Sequence, residues 1–349
     1  MQAYYIIKIL FFSALSFVIA LFLAPLLTHF LYKYKLGKKI RNNGETPIFS
    51  KLHAHKEGTP TMGGVLIWGT LLVLILIFYF LSLIFPESIF SYLNFLSRAE
   101  TLLPLGALIA CALVGLVDDW LDIRGKGVFG GGGLKLRHRL LIYTLVAIIG
   151  ALWFYFKLDW TIFHIPFFGN FEIGAWYIPI FIFIIVATSF SVNETDGLDG
   201  LAGGTLLVAF ASYGVIAFTM GRYEMATFCA VIIGALLAFL WFNIPPARFY
   251  LGDTGSMSLG VTLGIIALLT NNSLLLIFIG IIFLIESLSV IIQVIFKKIK
   301  GRKVFLSAPI HHHFQALGWP ESKVVMRFWV ISAIGAAIGL IIFLLDRNF

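Results

Sequence analysis

The chain reads as an all-α integral membrane protein of about ten transmembrane helices, and two observations carry that reading. Its 349 residues are 60% hydrophobic and only 12% charged, with a mean hydropathy of +0.98. Soluble domains run at about 45–50% apolar and about 25% charged. The apolar stretches are also continuous, where a membrane barrel would alternate, so helices are expected. Cys111 and Cys229 both fall inside apolar runs and offer no disulfide framework. With no internal repeat and no soluble segment of domain size, residues 1–349 are expected to form a single polytopic domain.

A bilayer core is crossed by about 20 apolar residues of helix. On that rule the spans lie near 4–32, 62–85, 101–121, 138–156, 176–192, 201–220, 224–242, 255–270, 273–296 and 325–345. The first run is too long for a cleaved signal peptide, and only Lys8 precedes its centre, so it is read as the first span. The links near 221–223 and 271–272 are so short that the spans they join should pack as antiparallel hairpins. Between the fourth and fifth spans, "TIFHIPFFGNFEIG" alternates around a Gly-Asn turn, which predicts a small external β-hairpin near 161–174. "GKGVFGGGG" lacks the GK[ST] ending of a phosphate loop and reads as a flexible linker.

The net charge of +8 would suggest nucleic acid in a soluble chain. Here the bases collect in alternate loops, which is a topology signal. Lys35, Lys38, Lys39, Arg41, Lys51 and Lys56 lie in one loop, and Arg124, Lys126, Lys135, Arg137 and Arg139 in a second. Arg248 lies in a third, and Lys297, Lys298, Lys300, Arg302, Lys303 and Lys323 in a fourth. The opposite face has only Lys8, Arg98, Lys157, Arg222 and Arg347, with Lys33 and Arg327 at span edges. This contrast of eighteen to five predicts that the basic loops are cytoplasmic and both termini face outward.

The unusual polar motifs then sort to that same face. They are "GTPTMGG" (58–64), "DDW" (118–120), "NETDGLDGLAGG" (193–204), "FNIPPARFYLGDTGS" (242–256) and "APIHHHF" (308–314). The other loops carry nothing comparable, and five scattered segments converging on one membrane face are what an active-site cleft between helices needs. Asp118 and Asp119 are adjacent acids on what should be the last helical turn, the unfavourable end of the macrodipole. One acid there would read as a solvated helix end. For the pair, a divalent cation relieves both penalties, and Mg²⁺ is held by one or two carboxylates plus substrate phosphates. Asp253 is either the N-cap of the eighth span or a metal ligand beside a helix end that can also receive phosphate. The consecutive histidines His311–His313 cannot easily share one ion, so phosphate contact or proton handling suits them better than zinc. Glu286 and Gln293, seven residues apart, share a helix face, and intramembrane ionisable groups are functional candidates by default. Asp196 and Asp199 are taken as functional, while Glu194 is read as solvated.

Together these motifs resemble the polyprenyl-phosphate N-acetylhexosamine-1-phosphate transferases, in order along nearly the whole chain; "PIHHHF" and "GTPTMGG" are the most specific. The resemblance is nearest to the branch that serves peptidoglycan synthesis. It implies ten spans with outward termini in a bacterial inner membrane and a cytoplasmic site. It implies transfer of phospho-MurNAc-pentapeptide from UDP-MurNAc-pentapeptide to undecaprenyl phosphate, giving lipid I and UMP, with Mg²⁺ required and a homodimer possible. By position it makes Asp118, Asp119 and Asp253 the catalytic and metal-site acids. Asp253 is then first in line for direct Mg²⁺ contact, and Asp118 is a candidate base for the lipid phosphate. His311 and His312 would contact the diphosphate or shape the site. Asn193, Asp196, Gly197, Leu198, Asp199 and Asn243 would form the nucleoside side, with Tyr250 stacking on uracil. Lys56, Thr61 and Gln293 would bind polar groups of the substrate. Three positions depart from the pattern: Gln315 stands where members often carry Glu, Tyr250 where Phe is expected, and Arg139 where Lys is expected.

Two other readings compete. A sibling enzyme that transfers GlcNAc-1-phosphate would share the acids and differ in the 297–324 loop. A secondary transporter would place polar groups near the midplane and on both faces, and Glu286 is the main deep exception here.

Overall fold

The computed structural model describes residues 2–37, 56–98, 100–125 and 133–347. Lys38, Lys39, Arg41, Lys51, Lys126 and most of the glycine-rich run, 126–132, lie outside the described residues. The helices are α1 (Gln2–Lys33), α2 (Gly64–Ile84), α3 (Ile89–Leu93), α4 (Leu102–Arg124), α5 (Leu136–Lys157), α6 (Tyr177–Thr195), α7 (Leu201–Thr219), α8 (Tyr223–Asn243), α9 (Gly252–Leu269), α10 (Leu276–Ile279), α11 (Ile281–Lys300), α12 (Ile310–Ala316) and α13 (Glu321–Asp346). Among the described residues, nine helices are long and apolar enough to cross a membrane, or ten if the bent segment Ser273–Lys300 counts as one span.

That bent segment corrects the sequence reading. The expected straight span over 273–296 is broken at Gly280, where Ser273–Ile279 and Ile281–Lys300 meet at 85°. A glycine at the break has no side chain to resist the turn. It leaves α11 with one apolar exposed face, including Leu288, Ile292, Ile295 and Ile299, and a basic end at Lys297, Lys298 and Lys300.

Helix α9 is the hub, packed against α4, α6 and α2. It is the least apolar of the spans and the most enclosed, with 94% of its central window buried. The two facts have one cause. A helix surrounded by protein needs no lipid-facing side chains, and small residues let its neighbours approach closely. A β-carbon on Gly260 or Gly264 would press on Ser189 or Thr188 of α6, and one on Gly255 on Gly64 of α2. The large apolar cluster runs through α1, α2, α7, α8 and α9, while a smaller one joins Leu198 and Leu201 to Ile282, Val324, Val325 and Phe328. Cys111 and Cys229 are free and buried.

The small hairpin pairs β1 (Ile162–Ile165) with antiparallel β2 (Gly169–Glu172). Its turn falls three residues earlier than expected: residues 166–168 make it, Phe167 takes the left-handed conformation (φ 67°), and Gly169 and Asn170 open the second strand. The hairpin is tied to the end of α13, with His164 Nε2 2.6 Å from Asp346 Oδ2. This end of the bundle is opposite the one where the five polar motifs meet.

Candidate active site

The motif-bearing helix ends are stitched together by side chains. Arg139, one turn into α5, is the centre of the largest network. Its Nε donates to Asp118 Oδ2 at 2.8 Å, its Nη2 to Asp253 Oδ2 at 2.8 Å and its Nη1 to Asn193 Oδ1 at 3.0 Å. Asn193 in turn donates through Nδ2 to Asp253 Oδ1 at 2.6 Å and to Ser256 Oγ at 2.8 Å. Asp118 is fully buried, and its second oxygen accepts the Leu134 amide. The far end of the glycine-rich run is therefore a wall of the site. Gly133 lies against Asp118, where a β-carbon would collide with the carboxylate.

The adjacent acids diverge because successive helical residues are about 100° apart. Asp118 faces α5, while Asp119 faces α9. Both Asp119 oxygens accept hydrogen bonds from the start of α9, from the amides of Asp253 and Thr254 at 3.1 Å each, and Oδ1 also accepts from Thr61 Oγ at 3.0 Å. Asp253 is thus not an N-cap of its own helix. It lies in the first turn, and α9 is capped from outside by Asp119 and by Asp196, which accepts the Gly252 amide at 3.1 Å. The pair also lies about a turn and a half before the end of α4, not in its last turn.

A second network lies on the α7 side. Lys56 Nζ is 2.6 Å from both Asp199 Oδ1 and Glu321 Oε1. The Asp199 amide donates to the same Glu321 oxygen at 2.7 Å, and Asp199 Oδ2 accepts from the Ala247 amide at 3.1 Å. The acids of "NETDGLDGLAGG" therefore do have a basic partner. Glu194 is half-buried rather than solvated, which corrects its reading. Asn243 supports the same wall through the Gly200 amide and the Phe249 carbonyl, 2.8 Å each. Tyr250 exchanges backbone bonds with Pro60 and Gly63, and burial pushes its phenol upward, so the ring stays neutral.

The histidines divide as well. His311 Nδ1 is 2.9 Å from Glu286 Oε2, both side chains fully buried, and its Nε2 faces Gly197. His312 pairs with Gln315 Oε1 at 2.9 Å. Leu198 sits in the smaller apolar cluster. Gln293 is set apart from these networks, holding the 304–305 backbone through three bonds of 3.0–3.1 Å.

The structure thus brings together Lys56, Asp196 and Asp199 on one side and Asp118, Asp253 and Asn193 on the other, with Asp119 and Thr61 beneath them. Sequence reasoning gave no site role to Arg139 or Glu321. Arg139 carried a legible signal, an ionisable residue at the entry of an apolar run. Glu321 carried none, since an acid opening a helix is ordinary. As a metal site, the donors are hard carboxylate oxygens without cysteine, the set Mg²⁺ prefers. Asp118 and Asp253 converge on one cationic group, so two acids fit an ion shared with substrate phosphates. Among the described residues no three acids, histidines or cysteines form a ready cage.

Comparison with known proteins identifies the family. Residues 101–271 match the model of glycosyl transferase family 4, and residues 56–67, which contain Lys56 and Thr61, match phospho-N-acetylmuramoyl-pentapeptide-transferase signature 1. The chain is 40% identical over 341 residues to the phospho-N-acetylmuramoyl-pentapeptide-transferase of Chloroflexus aggregans, covering 94% of this chain and 87% of that one. It is 39% identical over 335 residues to the enzyme of that name from Geobacillus sp. strain WCH70, with 94% and 95% covered. It is 38% identical over 348 residues to that of Thermodesulfovibrio yellowstonii, with 93% and 90% covered. With its motifs in order and its polar networks meeting at one end of the bundle, the chain belongs to the phospho-N-acetylmuramoyl-pentapeptide-transferase family.

Proposed function

We propose that this chain transfers phospho-MurNAc-pentapeptide from UDP-MurNAc-pentapeptide to undecaprenyl phosphate, giving lipid I and UMP, on the cytoplasmic face of a bacterial inner membrane. In the net reaction the sugar-bearing phosphorus gains a bond to an oxygen of the lipid phosphate, and its bond to the UMP oxygen breaks. The observation that carries the reading is the convergence of Asp118 and Asp253 on Arg139, at the bundle end that also holds Lys56 and Asp199. Orientation rests on the eighteen-to-five excess of bases in the loops at that end.

Phosphoryl-type transfer asks little covalent chemistry of the protein, so positioning and charge neutralisation dominate. Mg²⁺, held by Asp253 and Asp118, would supply charge neutralisation on the phosphates. Arg139 keeps the two acids in register, and Asn193 fixes the Asp253 carboxylate from its other oxygen. Lys56 and the Asp196–Asp199 turn form the nucleotide side, with the neutral Tyr250 ring near the uracil. His311, held by Glu286 and lying against Gly197, would contact the diphosphate or shape the site. The lipid substrate explains the location, since its phosphate lies at the bilayer surface.

The test is purified protein in undecaprenyl-phosphate micelles with Mg²⁺. UMP release from UDP-MurNAc-pentapeptide, lost on adding a chelator, is the expected result. Release from UDP-GlcNAc alone would replace this reading with the sibling GlcNAc-1-phosphate activity.

A further inference from the structure

Asp119 shares a motif with Asp118 but meets the start of α9, where Asp118 meets Arg139. The face of α4 that carries Asp119 forms a rail under the first turn of α9. Ala112, Gly115 and Asp119 recur at helical spacing on this face. The Ala112 carbonyl accepts from Thr254 Oγ at 2.8 Å. Gly115 touches the Asp253–Thr254 backbone so closely that a β-carbon would overlap it. Asp119 then takes the Asp253 and Thr254 amides on its two oxygens. From the far side Thr61 donates to Asp119, and Gly252, with φ +75°, leaves room for both; a β-carbon there would be 2.5 Å from Thr61 Oγ and 2.6 Å from Asp119 Oδ2. Asp119 and Thr61 are buried, at 4% and 1% exposure.

A carboxylate accepting two amides at a helix start is well matched to the positive end of the dipole. The amides of a helix's first turn need such a partner, because no intrahelical carbonyl reaches them. One of the two amides belongs to Asp253 itself. We infer that Asp119, supported by Thr61, is a positioning residue that caps α9 and so aims the Asp253 carboxylate, instead of holding metal or substrate itself. This deepens the proposed function and rests on it for the role of Asp253; the capping geometry stands without it.

The first test needs neither substrate nor metal. Hydrogen exchange of the metal-free protein is followed over peptides spanning 252–258. In Asp119→Asn, whose side chain keeps the shape but offers one acceptor, these amides are expected to exchange at least about tenfold faster, the factor for one lost charge-assisted hydrogen bond. Unchanged exchange there overturns the capping role. The second test is kinetic. Thr61→Val is expected to lower kcat about 10- to 100-fold, as loss of a supporting partner does, with KM for UDP-MurNAc-pentapeptide within about threefold. Thr61→Ser should restore kcat. A raised KM with kcat kept would make Thr61 a substrate contact and overturn the inference. A wild-type protein with no transferase activity would overturn the proposed function and leave the exchange result standing.

Discussion

Arg139 Nη2 donates to Asp253 Oδ2 at 2.8 Å, joining the start of α5 to the start of α9 across 114 positions of sequence. Its other nitrogens reach Asp118 and Asn193, so one planar fork holds three elements in register. Without it, a fully buried Asp118 and a largely buried Asp253 would repel each other.

Arg139→Met is therefore expected to destabilise the protein and to abolish turnover. Stranding one member of a buried ion pair costs about 3–5 kcal/mol, and the 20% exposure of the Arg139 side chain favours the lower end. Arg139→Lys keeps the charge but loses the fork, so it should lie between. Thermal unfolding in detergent and UMP release measure the two effects separately.

Asp253→Asn keeps the shape and the Asn193 contact region while removing one negative charge. Turnover is expected to fall at least about 100-fold, the scale seen when a preorganised electrostatic group is lost. The unfolding midpoint should hold or rise, since Asp118 loses a like-charged neighbour. Near-normal UMP release from the purified variant would remove Asp253 from the metal site.

Lys56→Gln breaks both arms of the Lys56, Asp199 and Glu321 cluster. The turn carrying Asp196 and Asp199 loses its cationic partner, keeping only the Asp199 amide bond to Glu321 as its direct tie to α13, so KM for the nucleotide substrate should rise about tenfold, the loss of one charge-assisted hydrogen bond. Glu321→Gln should produce a smaller rise of the same kind, because the Asp199 amide keeps an acceptor. Titrating UDP-MurNAc-pentapeptide against initial rate distinguishes this from a change in kcat alone.

Gly197→Ala places a methyl group on His311 Nε2. Overpacking of this kind costs about 1–3 kcal/mol, and His311 cannot yield easily because Glu286 holds its other nitrogen. Both a lowered unfolding midpoint and a lost UMP signal are expected. A fully active variant would show that the His311 ring is free to move.

Much of the bundle was legible because lipid imposes simple rules. Every backbone polar group inside the bilayer must be satisfied locally, so long apolar runs mean helices, and nine of the ten expected spans match long helices. The exception, the segment bent at Gly280, looks identical in composition to a straight span. The hairpin was legible in place but not in turn, because Gly-Asn is a strong local signal that the pairing of His164 with Asn170 overrode. Glu194 was misjudged because its own stretch offers no sign of what packs over it.

The sequence by itself determined that the chain lives in a membrane, where nearly all its spans fall, and which five segments hold its unusual polar residues, since these follow from local hydropathy and residue type. Only the tertiary structure decided what each polar residue faces. Asp118 and Asp119 are neighbours in sequence and similar in chemistry, yet one meets Arg139 and the other caps α9. The helical turn between them rotates them apart, and partners 21 and 134 positions away complete the contacts.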